Sequence, residues 1–188
     1  TSADGGITWT ATFTPSASIS DATNVISLDN TGVTDTAGNA GTGSTDSPNY
    51  AIDTARPTAT IALSDSALKA GETSLVTITF SRPVTGFSNA DLTVAGGTLS
   101  SVSSSDGGTT WTASFTPSPS LTSTGNLISL DNSGVTDGAG NTGSGNTDSA
   151  SYSIDTQRPT ATIAVANSSL KAGETSLVTI TFSEAVSG

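Results

Sequence analysis

The side chains able to do chemistry in this 188-residue chain are nearly all oxygen-bearing: there are sixteen acids and no His, Cys or Met. Without imidazole or thiol, most nucleophile–base pairs and soft-metal sites are ruled out. Carboxylates remain. In pairs they can hydrolyse glycosides. Grouped with Asn side chains and backbone carbonyls, they can hold a hard cation such as Ca²⁺, which takes roughly six to eight oxygen ligands. Between residues 53 and 154 the acids are Asp53, Asp65, Glu72, Asp91, Asp106, Asp131, Asp137 and Asp148. Which chemistry is open to them depends on the elements that bring them together.

Those elements are set by an internal repeat. Residues 1–86 match residues 103–188 at 59 of 86 positions without a gap, an offset of 102 residues. Asp53-Thr54-Ala55-Arg56-Pro57-Thr58-Ala59-Thr60-Ile61 returns as Asp155-Thr156-Gln157-Arg158-Pro159-Thr160-Ala161-Thr162-Ile163, and Val33 to Asn39 returns as Val135 to Asn141. The period exceeds the roughly 20–50 residues of solenoid and blade repeats, so each unit is expected to be a domain with its own core. The chain therefore divides into the later part of one unit (1–52), a complete unit (53–154) and the first part of a third (155–188). Neither partial unit is expected to bury a core alone. The favoured reading of the ends is a window on a longer ordered fibre. The alternative is head-to-tail completion between successive chains, which leaves the 16 residues corresponding to Phe87–Val102 unsupplied.

Composition narrows the partners. A net charge of −11 makes nucleic acid a poor one. With 11% charged residues and a background of Thr, Ser, Ala and Gly, long helices are not expected. No cysteine is present to staple the fold. No apolar run approaches the ~20 residues of a membrane span, and no signal peptide lies in this stretch, so targeting information is expected elsewhere.

Short alternating runs rich in Thr, Val, Ile and aromatics, separated by turn residues, predict an all-β sandwich. Seven strands are expected in the complete unit: Thr58–Leu63, Ser74–Ser81, Asp91–Ala95, Thr98–Ser103, Thr110–Pro117, Asn126–Leu130 and Ser151–Ile154. Val76, Ile78 and Phe80 should face inward on the second, Trp111, Ala113 and Phe115 on the fifth, and Tyr152 and Ile154 on the last. Strand starts and ends then alternate between two poles. The leading pole, where the chain enters, collects the linker, Arg82–Ala90, Ser104–Thr109 and Asp131–Ala150. It also collects Asp53, Asp91, Asp106, Asp131, Asp137 and Asp148, while Asp65 and Glu72 lie at the far pole. Six carboxylates at one end repel unless a cation sits among them, and Ca²⁺ is the obvious candidate. The polarity pairs the linker Asp53 with Asp137 of the unit that follows it, not with Asp35.

The motifs Asp-Thr-x-Arg-Pro-Thr-x-Thr-Ile, Leu-Lys-Ala-Gly-Glu-Thr, Thr-Phe-Ser-Glu-Ala-Val, Asp-Leu-Thr-Val and Val-Thr-Asp-x-Ala-Gly-Asn resemble the bacterial Ig-like repeats of giant Gram-negative, RTX-type surface adhesins, over the whole chain. The resemblance implies tandem Ig-like Greek-key sandwiches and a non-enzymatic extracellular stalk on the bacterial cell surface, with Ca²⁺ at or near domain junctions. It carries the metal-ligand candidates Asp53 and Asp155 in the linkers, Asp35, Asn39, Asp137 and Asn141 in the Val-Thr-Asp-x-Ala-Gly-Asn loops, and Asp91 and Glu184. Asp131 joins them from the leading-pole set. The sequence departs from the pattern at Arg82-Pro83, where the third unit has Glu184-Ala185. A guanidinium cannot ligate a cation, so Arg82 is expected to weaken or replace one ion site by pairing with Asp53 or Asp137.

Blander roles compete at each position. Asp and Asn cap turns through their own backbone, and Gly supplies positive φ. Gly138–Asp148 lacks the period of calcium-binding nonapeptides and reads as a flexible loop. Lys69, in a Gly-containing turn, reads as a turn residue and not an isopeptide donor. The outward Thr8, Thr10, Thr12 and Thr14 read as solvent-facing strand positions. The resulting expectation is a spacer about 35–45 Å long per unit, with neighbouring repeats as its partners. The alternatives are a self-assembling filament subunit, which would pair with other copies, and a glycan- or surface-binding module. Asp21-Ala22-Thr23 corresponds to Ser123-Thr124-Gly125, and Asp65 to Asn167, while the leading-pole acids persist. Loop drift around a retained junction favours the spacer.

Overall fold

The computed structural model describes residues 1–187. The first part of the chain carries strands β1 (Ser20–Asn24), β2 (Ser27–Asp29), β3 (Ser44–Asp46) and β4 (Tyr50–Asp53). The central unit holds β5 (Ala59–Leu63), β6 (Ala67–Lys69), β7 (Ser74–Phe80), β8 (Val84–Thr85), β9 (Leu92–Val94), β10 (Gly97–Leu99), β11 (Ser103–Ser104) and β12 (Thr110–Pro117). It continues through β13 (Thr122–Asn126), β14 (Ile128–Asp131), β15 (Thr136–Asp137), β16 (Asn146–Asp148) and β17 (Tyr152–Asp155), and β18 (Ala161–Val165) and β19 (Val178–Phe182) follow.

Period-two alternation sets the two central strands of the first sheet. On β7, Ser74, Val76, Ile78 and Phe80 are buried, and on β12 so are Ala113, Phe115 and Pro117, with Trp111 half-buried. The strands pair antiparallel with Ala113 opposite Val76 and Phe115 opposite Ser74, so the largest fully buried side chain faces the smallest inward side chain of β7. The sheet runs β10–β12–β7–β5, with β11 on the same edge of β12 as β10. In the second sheet, β13 leads into β14 and β16 into β17, forming two long arms paired antiparallel with a register shift between Ser123 and Asn126. Strand β9 flanks one arm, and β6 flanks the other in parallel.

The core lies between these sheets. Phe115 meets Tyr152 edge-on at 5.2 Å across the sandwich, and the Tyr152 hydroxyl donates to the Ala95 carbonyl. Gly97 makes that packing possible, because a Cβ there would lie 2.5 Å from the Phe115 ring. Toward the leading pole, Phe87 stacks edge-on with both Phe80 and Trp111. Phe87 lies outside any strand, and its place in the core follows from closing the loop after β8 over the sheet.

The observed strands differ from expectation where the local sequence lacks an alternating apolar row. Expected Thr98–Ser103 splits into β10 and β11, while β6, β8, β13, β15 and β16 are additional. The stretch 138–148, read as a flexible loop, is ordered by pairing. Strand β16 holds no apolar residue, yet its three residues pair with Ser129, Leu130 and Asp131. The Asn132 amide donates to the Gly145 carbonyl and the Thr147 hydroxyl, 3.0 Å each, from a buried position. Asp148 consequently sits within a strand opposite Ser129, not at the pole.

Repeat copies with the same residues have opposite burial. Phe115 is 0% exposed while Phe13, its counterpart, is 54% exposed, and Ile78 is 0% against 54% for Ile180. Phe115→Ala should therefore destabilise the central unit by about 3–5 kcal/mol, whereas Phe13→Ala should leave that unit's stability unchanged. Denaturant unfolding followed by Trp111 fluorescence in a Trp9→Phe background measures both.

Candidate functional site

The linker Asp53–Pro57 is short, and its side chains are divided between the two units it joins. The Thr54 hydroxyl donates to the Ser16 carbonyl at 2.7 Å and accepts from the Ile19 amide at 3.0 Å, while the Thr54 amide donates to the Ile19 carbonyl at 2.7 Å. These bonds tie the linker back to the preceding unit. The next linker repeats them: Thr156 donates to Ser118 at 2.7 Å and accepts from Leu121 at 2.9 Å, and it is buried.

The remaining linker groups reach forward. Arg56 donates to the Thr142 carbonyl at 2.7 Å, and the Asn141 amide donates to the Asp53 carbonyl at 3.2 Å. The Asp53 carboxylate accepts from Arg82 Nη1 at 3.0 Å through both oxygens. The same nitrogen donates to Asp137 Oδ2 at 2.9 Å. One guanidinium nitrogen thus sits among three carboxylate oxygens drawn from both sides of the junction. Fractional side-chain exposure is 25% for Arg82, 33% for Asp53 and 2% for Asp137. The inner carboxylate is sealed, so an uncompensated charge there would be costly.

Local hydrogen bonds hold Asp137 in place. Its Oδ1 accepts from the Ala139 and Asn141 amides at 3.0 and 2.8 Å, closing the Asp-x-x-Gly-Asn turn. Burial pushes its carboxyl up, but hydrogen bonds from Asn141, Arg82 and Ala139 outweigh that and hold it below the ordinary carboxylate range. Hydrogen bonds to Asp53 and then to Asp137 raise the Arg82 guanidinium above its already high value, so it stays charged.

Of the predicted ligands, the structure brings Asp53, Asp137 and Asn141 together around Arg82. The others are engaged elsewhere. The Asp91 carboxylate accepts from the Ser88 amide and hydroxyl in a capping box, and Asp131 caps the turn at Ser133. Asp35 accepts from the Ala37 and Asn39 amides and the Asn39 side chain, reproducing the Asp137 turn one unit earlier. Asp155 accepts from the Thr122 hydroxyl at 3.0 Å. Glu184 occupies the position matching Arg82, and its Oε1 is buried with no hydrogen-bond partner among the described residues. Asp106, outside the ligand set, accepts from the Thr110 and Thr109 amides and the Ser104 hydroxyl.

The arrangement around Asp53 and Asp137 does not fit a calcium ion. Ca²⁺ needs oxygens at about 2.3–2.6 Å, and the centre of the three carboxylate oxygens is filled by a cationic nitrogen. Asn141 turns its Nδ2 toward two pure acceptors, the Asp53 carbonyl and Asp137 Oδ2. A metal would need its oxygen there instead. Among the described residues, no group of three acidic side chains is placed to hold a metal ion.

Sequence reasoning missed Thr54, Arg56 and the Thr142 carbonyl. The available signal was that Thr and Arg recur at the same place in both linkers while Ala55 becomes Gln157.

Hydrogen bonds from Thr110 hold the Asp106 carboxyl down at about 2, and Asp137 is also depressed. Such groups bind fewer protons folded than unfolded. Their stabilisation should be complete above the unfolded Asp value of about 3.9 and be lost as pH falls through the folded values. Asp106→Asn should flatten the fall in melting temperature between pH 4 and 2, measured by thermal denaturation across that range.

No helix among the described residues is long and apolar enough to cross a membrane. No curated protein matches the chain. The profile of the bacterial Ig-like domain matches over residues 1–52, 53–154 and 155–188. With its all-β sandwich and matches across its full length, the chain belongs to the bacterial Ig-like domain family.

Proposed function

We propose that this chain is a length of non-enzymatic extracellular stalk, a spacer in a long bacterial surface adhesin that carries a binding region away from the cell. The observation that carries this reading is the divided linker. Thr54 is bonded into the unit behind it, while Asp53, Arg56 and Asn141 join it to the unit ahead. A linker bonded on both sides has little freedom to bend, and a spacer's reach depends on its junctions not bending. The family itself is consistent with a repeat or stalk role.

Calcium belongs in this reading only at junctions of the Asp155–Glu184 kind. What supports it there is the exchange of Arg82 for Glu184, which removes the built-in positive charge, together with the buried, unpartnered Glu184 Oε1. At the Asp53 junction the stiffness comes from the protein's own groups.

The chain has no cysteine, so spin labels can be placed uniquely. Labels at Ala51→Cys on β4 and Ser101→Cys in the central unit, both exposed positions, should give a single narrow distance distribution by double electron–electron resonance. Thr54→Val, which removes the backward hydrogen bonds of the hydroxyl to Ser16 and Ile19 and keeps that of the backbone amide, should broaden it. A broad distribution in the otherwise unmodified chain would contradict the spacer reading.

A further inference from the structure

We propose that Arg82 is the permanent cation of the Asp53 junction, replacing an exchangeable metal ion with a covalently attached charge and making this junction indifferent to calcium. The inference rests on the stalk reading and deepens it, because it states what closes one junction and what would distinguish it from the next.

Four observations lead there. Arg82 Nη1 lies 2.9–3.0 Å from three carboxylate oxygens contributed by the linker and by the following unit, so it occupies the centre a bridging cation would take. The nitrogen is attached to β7 through Ser81, whose backbone amide donates to the Thr58 carbonyl just before β5. The charge is therefore delivered by the unit that must be joined and cannot diffuse away. Asp137 is 2% exposed, so its charge needs a partner that solvent cannot supply. Finally, the aligned position in the third unit is Glu184. The third unit begins with the same backbone pairing, Thr160 with Ser183, as Thr58 with Ser81. The charge at this position therefore changes sign between two copies that share this pairing, with Pro83 becoming Ala185 beside it. Arrays built from both residue types would contain joints whose stiffness is fixed and joints whose stiffness is set by the medium.

Amide hydrogen exchange resolved by NMR on the whole 188-residue chain tests this. The reporters are the amides of Ala55, Ala139 and Asn141, which are bonded to the Asp53 and Asp137 carboxylates. The Thr54 amide, bonded backward to Ile19, serves as a reference that should not move, and those of Val76 and Ile78 report whether the central unit is folded. In the unsubstituted chain, protection of the three reporters should be the same in chelator and in millimolar Ca²⁺. In Arg82→Glu it should fall at least tenfold in chelator and recover in Ca²⁺, while Arg82→Lys, which keeps the charge, should retain most of it in either medium.

A rise in the unsubstituted chain on adding Ca²⁺ would overturn the proposal. So would unchanged protection in Arg82→Glu in chelator, or a loss that Ca²⁺ does not restore while Val76 and Ile78 stay protected. These outcomes are separable from failure of the stalk reading, because a flexible junction would broaden the spin-label distance distribution of the unsubstituted chain in chelator and in Ca²⁺ alike, whereas the three reporter bonds lie within the linker or within one loop.

Discussion

The junction depends on one constraint: the Asp137 carboxylate is sealed from water and must be matched by a positive charge that also holds the linker. Arg82 meets both requirements with one nitrogen, bonding Asp137 on the inside and Asp53 on the outside. The neighbouring contacts follow from that placement. With the Asp53 carboxylate fixed, its backbone carbonyl comes within reach of Asn141, and three residues on Arg56 meets the Thr142 carbonyl of the same loop. The Asp-x-x-Gly-Asn turn is thus both a local cap and a receptor for the linker. Its first oxygen closes the turn and its second faces the junction.

The sandwich serves this arrangement by fixing where the loop ends lie. Strands β7 and β12 put Arg82 and the turn around Asp106 at the leading pole, and the pairing of β15 with β8, which sets Asp137 opposite Val84, puts Asp137 there too. At the far pole the Thr156 hydroxyl fastens the turn after β12 to the next linker. A unit therefore offers a receptor loop at one end and a threonine clasp at the other. Both features recur one period apart, the turn at Asp35 and Asp137 and the clasp at Thr54 and Thr156, as a tandem array requires.

Much of this was legible in the residues. Alternation along Ser74–Phe80 and Thr110–Pro117 gave the inward rows, because buried strands with one solvated face must alternate. Strand polarity paired Asp53 with Asp137, and the charge reversal between Arg82 and Glu184 marked Arg82 as the exception. The rest was hidden for physical reasons. Strand β16, Asn146-Thr147-Asp148, carries no hydrophobic signal and exists through its pairing with β14. Phe87 lies in a loop whose burial depends on tertiary closure. Thr54 is one hydroxyl among many, and only the fold shows that a carbonyl 38 residues earlier accepts its proton. The crowding of acids at the leading pole points to a cation by charge alone, and residue types do not show that most of those carboxylates accept hydrogen bonds from their own turns.

The central claim is that the linker joins its two units into one rigid body. Residual dipolar couplings of the β1 and β4 amides, compared with those of β7 and β12, test it most directly in the chain dissolved without divalent cations. A single alignment tensor of one magnitude and orientation should fit both sets. Two tensors, with that of β1 and β4 markedly reduced, would show that the junction bends freely and would contradict the account.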